Sequence, residues 1–492
     1  MVHIFIENQK FMNQIKYVFD TFFTILGLSY TFVSYKDMEI ANAKDILIAY
    51  QDKNAKVDRY LNRYKNIICI AASDRLFGTE YLKYESMPAK VKSYDNIISL
   101  YHKDKELYIV KKCLKNNIVR TNIDFVSSTF FMLTRYEEII SKDIIDADIH
   151  KRFSSKESTA YKYNFLQRPI VNEYIELLWQ WIDCFNLGYK RQNWWGDKAF
   201  AACLTHDIDV LQKHTTLKAL IRSSLSILIK QRNIFGFMEN IKSYCISKSN
   251  YKNDPYWTFD YLVKQEKANN FNSSFYFMSG GTSKYDNFYS INDERIKMEI
   301  AHLGEQGVEV GYHGSYNSYD NLSMMLEENI SLKDLVGIGK YGSRQHYLRF
   351  NVETTLRDLE RVGILYDTSL GYADYYGFRC GICFPFRPYN ISENKVMNIW
   401  EIPLILMEST LKDVEYNNLS PKEAMKVISK LIETISKYNG VFTLLWHNTS
   451  FDYQWREWKS VYEETLKLLN DNNCKGMSGR EIISEMKTFG GI

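Results

Sequence analysis

An α/β protein of two parts is what this chain predicts, and three observations carry the expectation. Its 492 residues exceed what one ordinary core organises, so more than one domain is expected. Short apolar runs alternate with segments of helical period along most of the chain, which is the pattern of βα units. Beyond about residue 195 the apolar runs end repeatedly in acidic, imidazole or guanidinium side chains, as strands of a barrel-like α/β domain do at the face that carries chemistry. The division expected is an N-terminal α/β domain over residues 1–190 and a barrel-like domain over 195–490.

The N-terminal elements come first. His3-Ile-Phe-Ile6 reads as a short strand, the apolar period around Ile15–Leu26 as a helix, and Tyr30-Thr-Phe-Val-Ser34 as a strand. Ile46-Leu-Ile-Ala49 and Ile67-Ile-Cys-Ile-Ala71 continue the alternation, implying a small and largely parallel sheet. No glycine-rich phosphate loop follows any of these strands, so a docking or scaffolding role is expected there, not nucleotide binding. Phe125–Glu138 reads as one helix ending in Arg-Tyr-Glu-Glu, with Arg135 and Glu138 three residues apart on one face. The polar stretch Lys151–Lys162 then leads to a helix near Glu173–Phe185.

The second part opens on Ala199–Leu204, a buried strand followed by Thr205, His206, Asp207 and Asp209. Two carboxylates one residue apart at a strand's carboxyl end are costly to desolvate without a cation or a proton, although a hydrated loop or helix cap is the other account. Residues 211–248 are basic, with an apolar face running through Leu217, Ile221 and Leu225. That segment is either an amphipathic helix lying on an anionic membrane surface or a helix packed on the body with its charge in water. Asp254-Pro255-Tyr256-Trp257 opens the next element, its proline suited to a first helical turn. Strands are expected at Phe275–Met278, Val308–His313, Tyr341–His346, Gly363–Asp367, Trp400–Leu404 and Val441–His447, with helices at Asp293–Gln306 and Leu356–Arg361 among them.

Composition narrows the classes. A net charge of +3 gives no case for nucleic acid. The eight cysteines are scattered, as reduced and buried thiols are, and the single Cys380-Gly-Ile-Cys383 lacks the second pair a zinc ribbon needs. The N-terminus has neither the basic nor the apolar region of a secretory signal, and no run approaches the length of a membrane span. A cytoplasmic protein is therefore expected, with 211–248 the candidate for a peripheral contact at the inner membrane surface should that segment not simply pack on the body. Its high tyrosine and tryptophan content suits either sugar stacking or an aromatic core.

Several strand ends carry chemistry: Asp207-Ile-Asp209, His313-Gly-Ser-Tyr-Asn317, Arg344-Gln-His346, Asp367 and His447-Asn448. In this order the motifs resemble the polysaccharide deacetylase family, carbohydrate esterases with a NodB-type homology domain. The likeness is to the branch with a Thr-His-Asp-x-Asp first motif and an N-terminal α/β domain, and it covers roughly residues 195–490. The resemblance implies a distorted (β/α) barrel that hydrolyses N-acetyl groups on amino sugars with zinc or a similar divalent ion. It implies Asp207 as general base, Asp209 and His313 as metal ligands, Arg344 as the group that orients the base, and His447 as general acid. His206, Tyr312, Ser315, Asn317, Asp367 and Trp446 are expected to meet the carbohydrate or glycoconjugate substrate. The roles suit amide hydrolysis, because a divalent metal lowers the pKa of water from about 16 to about 7 and a histidine near neutral pKa can protonate the departing nitrogen.

The chain departs from the family pattern twice. Ile208 stands where the common first motif has its second Asp, which moves the ligand to Asp209. Asn317 stands at the second metal-binding histidine, and sliding the register to Ser315 puts Ser318 there instead. Neither offers the nitrogen that zinc prefers. His346 is the first candidate to complete the sphere, with substrate contact or packing under the rim as its alternatives. A non-catalytic carbohydrate-binding protein on the same scaffold, or a hydrolase of another non-peptide C–N bond, are the competing functions.

Overall fold

Four apolar runs build the first sheet: β1 (Val2–Ile6), β2 (Tyr30–Val33), β3 (Ile46–Gln51) and β4 (Asn66–Ala71), all parallel. The structure, a computed structural model, describes residues 1–492 except 38–41, 43, 53–62, 114–116, 143–147, 287–288, 338 and 491–492. β5 (Ile109–Cys113) and β6 (Asn117–Thr121) form a hairpin, and β6 pairs with β4, giving the order β2-β1-β3-β4-β6-β5. β3 and β4 are buried along their whole length, which is why they read as continuous apolar runs. Their cover includes α1 (Met12–Leu26), α2 (Phe125–Leu133) and, beyond α3 (Tyr136–Ser141), α4 (Ile170–Asp183). Phe22 of α1 meets Phe125 of α2, which in turn meets Tyr174 and Trp181 of α4, at ring separations of 6.0, 5.9 and 6.0 Å.

The expected single helix over 125–138 is two, because Arg135 takes a left-handed conformation (φ 51°) between α2 and α3. Such a conformation costs about 1–2 kcal/mol for a residue other than glycine. What holds it is a buried charge cluster that ties the two parts of the chain. Arg135 Nε donates to Glu138 Oε1 at 2.8 Å and Nη2 to Glu137 at 2.7 Å, while Arg379 Nη2 donates to Glu138 Oε2 at 2.6 Å. Burial opposes the charge on Glu138, yet Arg379 and Arg135 hold its carboxyl below the usual value near 4.5. Its stabilising contribution is therefore present at neutral pH and is lost as acid titrates it. Glu138→Gln leaves two buried guanidiniums short of a counter-charge, a loss expected to cost about 3–5 kcal/mol. Urea unfolding should show a lower midpoint for the variant, and an unchanged midpoint would mean that Glu137 alone neutralises the cluster.

The second sheet has nine strands: β7 (Phe200–Ile208), β8 (Ser274–Met278), β9 (Glu309–Gly314), β10 (Gly342–Gln345), β11 (Tyr366–Asp367), β12 (Trp400–Glu401), β13 (Leu406–Met407), β14 (Val441–Leu445) and β15 (Cys474–Met477). Every pairing among them is parallel, in the order β12-β11-β10-β9-β8-β7-β14-β13, with β15 on the first half of β7. The two ends of that path, β12 and β13, are joined by only the residues between Glu401 and Leu406. Eight flat strands would set their outer members ~34 Å apart, whereas five residue steps reach at most ~18 Å. The sheet must curl towards a half-open barrel. Tyr276 fills the interior beneath the rim, and a Cβ at Gly311 would lie 2.6 Å from its ring, so that position admits only glycine.

Three expectations are revised locally. Pro255 lies in a turn, and the helix begins only at Phe259, because the Asp254 carboxylate accepts from the backbone N–H groups of Lys213 and Tyr256. The basic 211–248 segment is not one helix but a hairpin, α5 (Leu217–Ile229) and α6 (Ile234–Ser249). Cys184 and Cys245 are exposed, whereas Cys380 and Cys383 are buried. Burial pushes the Cys380 thiol up to about 12, so it stays protonated and unreactive.

Candidate metal centre and its cleft

Parallel strands bring all their carboxyl ends to one rim, and register sets which side chains share a level. Asp207 on β7 is level with Tyr276 on β8, and Met278 is level with His313, so Asp209 reaches the height of His313. His313 is in turn level with Arg344 on β10. Alternation along a strand turns Asp207 and Asp209 inward and His206 outward.

At that level one carboxylate faces three imidazoles. Asp209 Oδ1 lies 3.1 Å from His313 Nε2 and 3.5 Å from His346 Nε2, and its Oδ2 lies 3.6 Å from His447 Nε2. Ligand atoms of Asp209, His313 and His346 all fall within 4.8 Å of one another. One oxygen and two nitrogens form a donor set that suits zinc and related divalent ions. His313 Nδ1 lies 2.9 Å from the backbone oxygen of Arg344; donating there, it turns the lone pair of Nε2 to the centre. His346 Nδ1 is buried without a hydrogen bond and faces Asp286 Oδ1 at 3.7 Å. Asp286 is fixed by the backbone N–H groups of Ser283 and Tyr316 at 2.6 and 2.7 Å. It also packs where a Cβ on Gly281 (φ +100°) would stand, so the loop after β8 needs glycine there. Neutral imidazole lone pairs and a carboxylate converging in one buried spot repel each other without a cation or protons, so the residues fit a divalent ion.

Electrostatics follow the same geometry. Burial opposes the charge on Asp209, but His346, His313 and His447 hold its carboxyl well below the usual range. Burial also disfavours a charged His313, and Asp207 and Asp209 outweigh it and raise that ring. For His447 burial is again outweighed, by Glu408 first and then Asp209, which take it up to about 10. Glu408 Oε1 accepts from the His447 backbone N–H at 2.9 Å and lies 2.7 Å from its Nδ1. Nε2 is thereby left as the end that faces Asp209.

Asp207 is buried beside this group. Its Oδ1 has no hydrogen-bond partner, and it lies 3.8 Å from Arg344 Nε, while Oδ2 lies 3.9 Å from His313 Nε2. Arg344 is itself anchored below, donating to Thr205 Oγ1 at 2.8 Å and Thr368 Oγ1 at 3.0 Å. Asp207, Asp209, His346 and His447 all line a cleft of about 390 Å³. Tyr285, Tyr347, Tyr416 and Arg152 stand on its walls. Arg152 belongs to the stretch before the barrel and donates to Tyr416 Oη at 3.2 Å, so the first part of the chain supplies a wall of the cleft.

The residues expected to meet substrate are mostly elsewhere. His206, Tyr312 and Trp446 each precede an inward residue and therefore point outward into packing. His206 Nε2 lies 2.7 Å from Glu266, Tyr312 Oη donates to Glu328 at 2.6 Å, and Trp446 packs on Tyr462 at 5.1 Å. Ser315 donates to Glu328, and Asp367 accepts from Ser343 at 2.7 Å. Asn317 is exposed and accepts from Arg349 at 3.2 Å. Asp286, Glu408, Arg152 and the three wall tyrosines were not singled out in the sequence. Glu408 and the Asp286 loop do obey the rule that polar residues at strand carboxyl ends face the site; the two-residue strand before Glu408 is too short to register as an apolar run.

A family model described as a family of unknown function (DUF7033) matches residues 3–186. A search of curated proteins finds no match to the chain. Among solved structures, a presumed polysaccharide deacetylase from Mycobacterium smegmatis is similar at a TM-score of 0.40 and 14% identity, over 59% of this chain and 91% of that one. A mutant form of peptidoglycan deacetylase PdaC from Bacillus subtilis is similar at 0.29 and 11%, over 59% and 93%. A GH57-type branching enzyme from Pyrococcus horikoshii is similar at 0.29 and 12%, over 58% and 70%. Scores this low carry no argument about the reaction, which has to stand on the site.

Proposed function

We propose that the protein is a metal-dependent hydrolase on a NodB-type barrel, removing N-acetyl groups from an amino sugar of a polysaccharide or glycoconjugate. The observation that carries this reading is the meeting of Asp209, His313 and His346 beside a second carboxylate, Asp207, with His447 on the other oxygen of Asp209. Asp209, His313 and His346 would hold the ion, zinc being the first choice for this donor set. When bound, a divalent ion supplies Lewis acidity, which polarises an acyl carbonyl and acidifies water.

The chain's own residues do the rest. Asp207 offers Oδ2, the oxygen on the side of His313, as the acceptor of the proton of the attacking water. Arg344 faces that carboxylate from beneath at 3.8 Å and orients it. His447, charged through Glu408, carries a proton on Nε2 to the departing sugar nitrogen. Tyr285, Tyr347 and Tyr416 offer ring faces to a pyranose, and the cleft lies within the ~300–1,000 Å³ of small-molecule sites.

Acetate release from a panel of N-acetylated mono- and oligosaccharides, with chelator and after zinc restoration, tests the reading. Folded and zinc-loaded protein that frees no acetate across the panel would remove it. A second measurement probes His447. Glu408→Gln removes the leading charge that raises His447, so the alkaline limb of kcat/KM should move to lower pH. A bound cation lowers His447 in both proteins alike, so the sign of the difference survives it. An unmoved limb would mean that another group donates the proton.

A further inference from the structure

We propose that the α5–α6 hairpin is a docking surface for a lipid bilayer bearing anionic headgroups. Much of its apolar surface faces outward. The seam between the helices combines Ile227 packed on Gly236 with a polar cluster, in which Asn240 is buried and donates to Ser223 Oγ at 2.9 Å and Ser224 Oγ at 2.8 Å, while its Oδ1 lies 2.9 Å from His214 Nε2. Large apolar side chains point away from that seam. Leu217, Ile221, Leu225 and Ile229 are exposed at intervals of four, one stripe along α5. At the tip, where α5 turns into α6, Ile229 is 68% exposed and Phe235 71% exposed. Small and polar residues at the helix contact with apolar residues outside is how helices pair in lipid, the reverse of their pairing in water.

Charge decides the occupant. Residues 211–248 hold seven Lys and Arg against the single acid Glu239. Lys218 and Arg222 are exposed beside the stripe and Lys230 and Arg232 at the tip, and among the described residues none of the four has an acidic partner. A second copy of the chain would oppose these cations with the same cations, which disfavours self-association through this face. An anionic bilayer satisfies both sets at once, its phosphates taking the cations and its acyl boundary the apolar stripe. Among the described residues no helix is long and apolar enough to cross a membrane, and α5, at ~20 Å, falls short of the ~30 Å hydrocarbon core, so the hairpin would lie in the interface. It leaves the barrel just after Asp209 and Val210, both in the cleft, so docking would hold the cleft beside the membrane plane.

Co-sedimentation of the full chain with vesicles is the test, using phosphatidylcholine alone and phosphatidylcholine mixed with phosphatidylglycerol. The protein should sediment with the mixed vesicles only, and less so at high salt. Lys230→Gln with Arg232→Gln should weaken partition ~30-fold, and Ile229→Ser with Phe235→Ser on the order of 100-fold. All four side chains face solvent, so thermal unfolding should be unchanged in both variants. Failure of the folded wild type to sediment with anionic vesicles, or equal sedimentation of the variants, overturns the proposal. So does a dimer in solution that Ile229→Ser with Phe235→Ser dissociates, which would give the face to a second copy.

Discussion

Asp207→Asn is expected to lower kcat/KM about 1,000-fold on any N-acetylated substrate the protein accepts, within the 10²–10⁴ that a positioned general base contributes. The substitution is isosteric and leaves Asp209, His313 and His346 untouched, so zinc content should not change. Asn cannot take a proton from water at neutral pH, and the amide also discards the anion that Arg344 faces at 3.8 Å. Arg344 keeps its hydrogen bonds to Thr205 and Thr368 but loses the anion it faces, so the melting temperature should fall, and the rate is compared below the variant's own unfolding transition.

Two measurements are needed together, the rate and the metal content. A large loss of rate at full zinc occupancy assigns Asp207 to the chemistry. A parallel loss of zinc would make it a ligand instead, with His313 shared between both carboxylates. Retention of more than about a tenth of wild-type activity, far above the 10²-fold floor for a base, would send the search to Asp286 and Asp413, which also line the cleft.

What could be read beforehand was the rim. Asp207, Asp209, His313 and His447 are legible because each closes a strand-like segment (Ala199–Leu204, Val308–Tyr312 or Val441–Trp446), and a parallel sheet carries such ends to one side. Arg344 and His346 are legible only as part of a motif series, since β10 is four residues long and barely apolar. The facing of neighbours was the weak point. Counting from Asp207 inward, alternation already assigns His206 to the outside, and the same count from His313 and His447 excludes Tyr312 and Trp446. Glu408 and Asp286 were hidden by brevity, one after a two-residue strand and one deep in a loop. Arg152 was hidden by distance, because nothing local says that a polar stretch before the barrel folds over its mouth. The break at Arg135 was hidden too, being imposed by Arg379, which is 244 residues away along the chain.

His346→Ala should abolish zinc binding at concentrations that saturate the wild type, while Asn317→Ala leaves it unchanged. His346 presents Nε2 3.5 Å from Asp209 Oδ1, whereas Asn317 is exposed and its oxygen is occupied by Arg349. Removing an outer hydrogen-bond partner of a ligand costs ~10–100-fold in metal affinity, and removing one of three ligands should cost more. Thermal unfolding reads this without any substrate. In chelator, wild type and Asn317→Ala should unfold alike. Added zinc should then stabilise both, by about 4 kcal/mol at a thousand times the dissociation constant, and leave His346→Ala where it was. Equal zinc-induced shifts in all three proteins would place the ion away from His346, and a shift kept by His346→Ala but lost in Asn317→Ala would return Asn317 to the sphere.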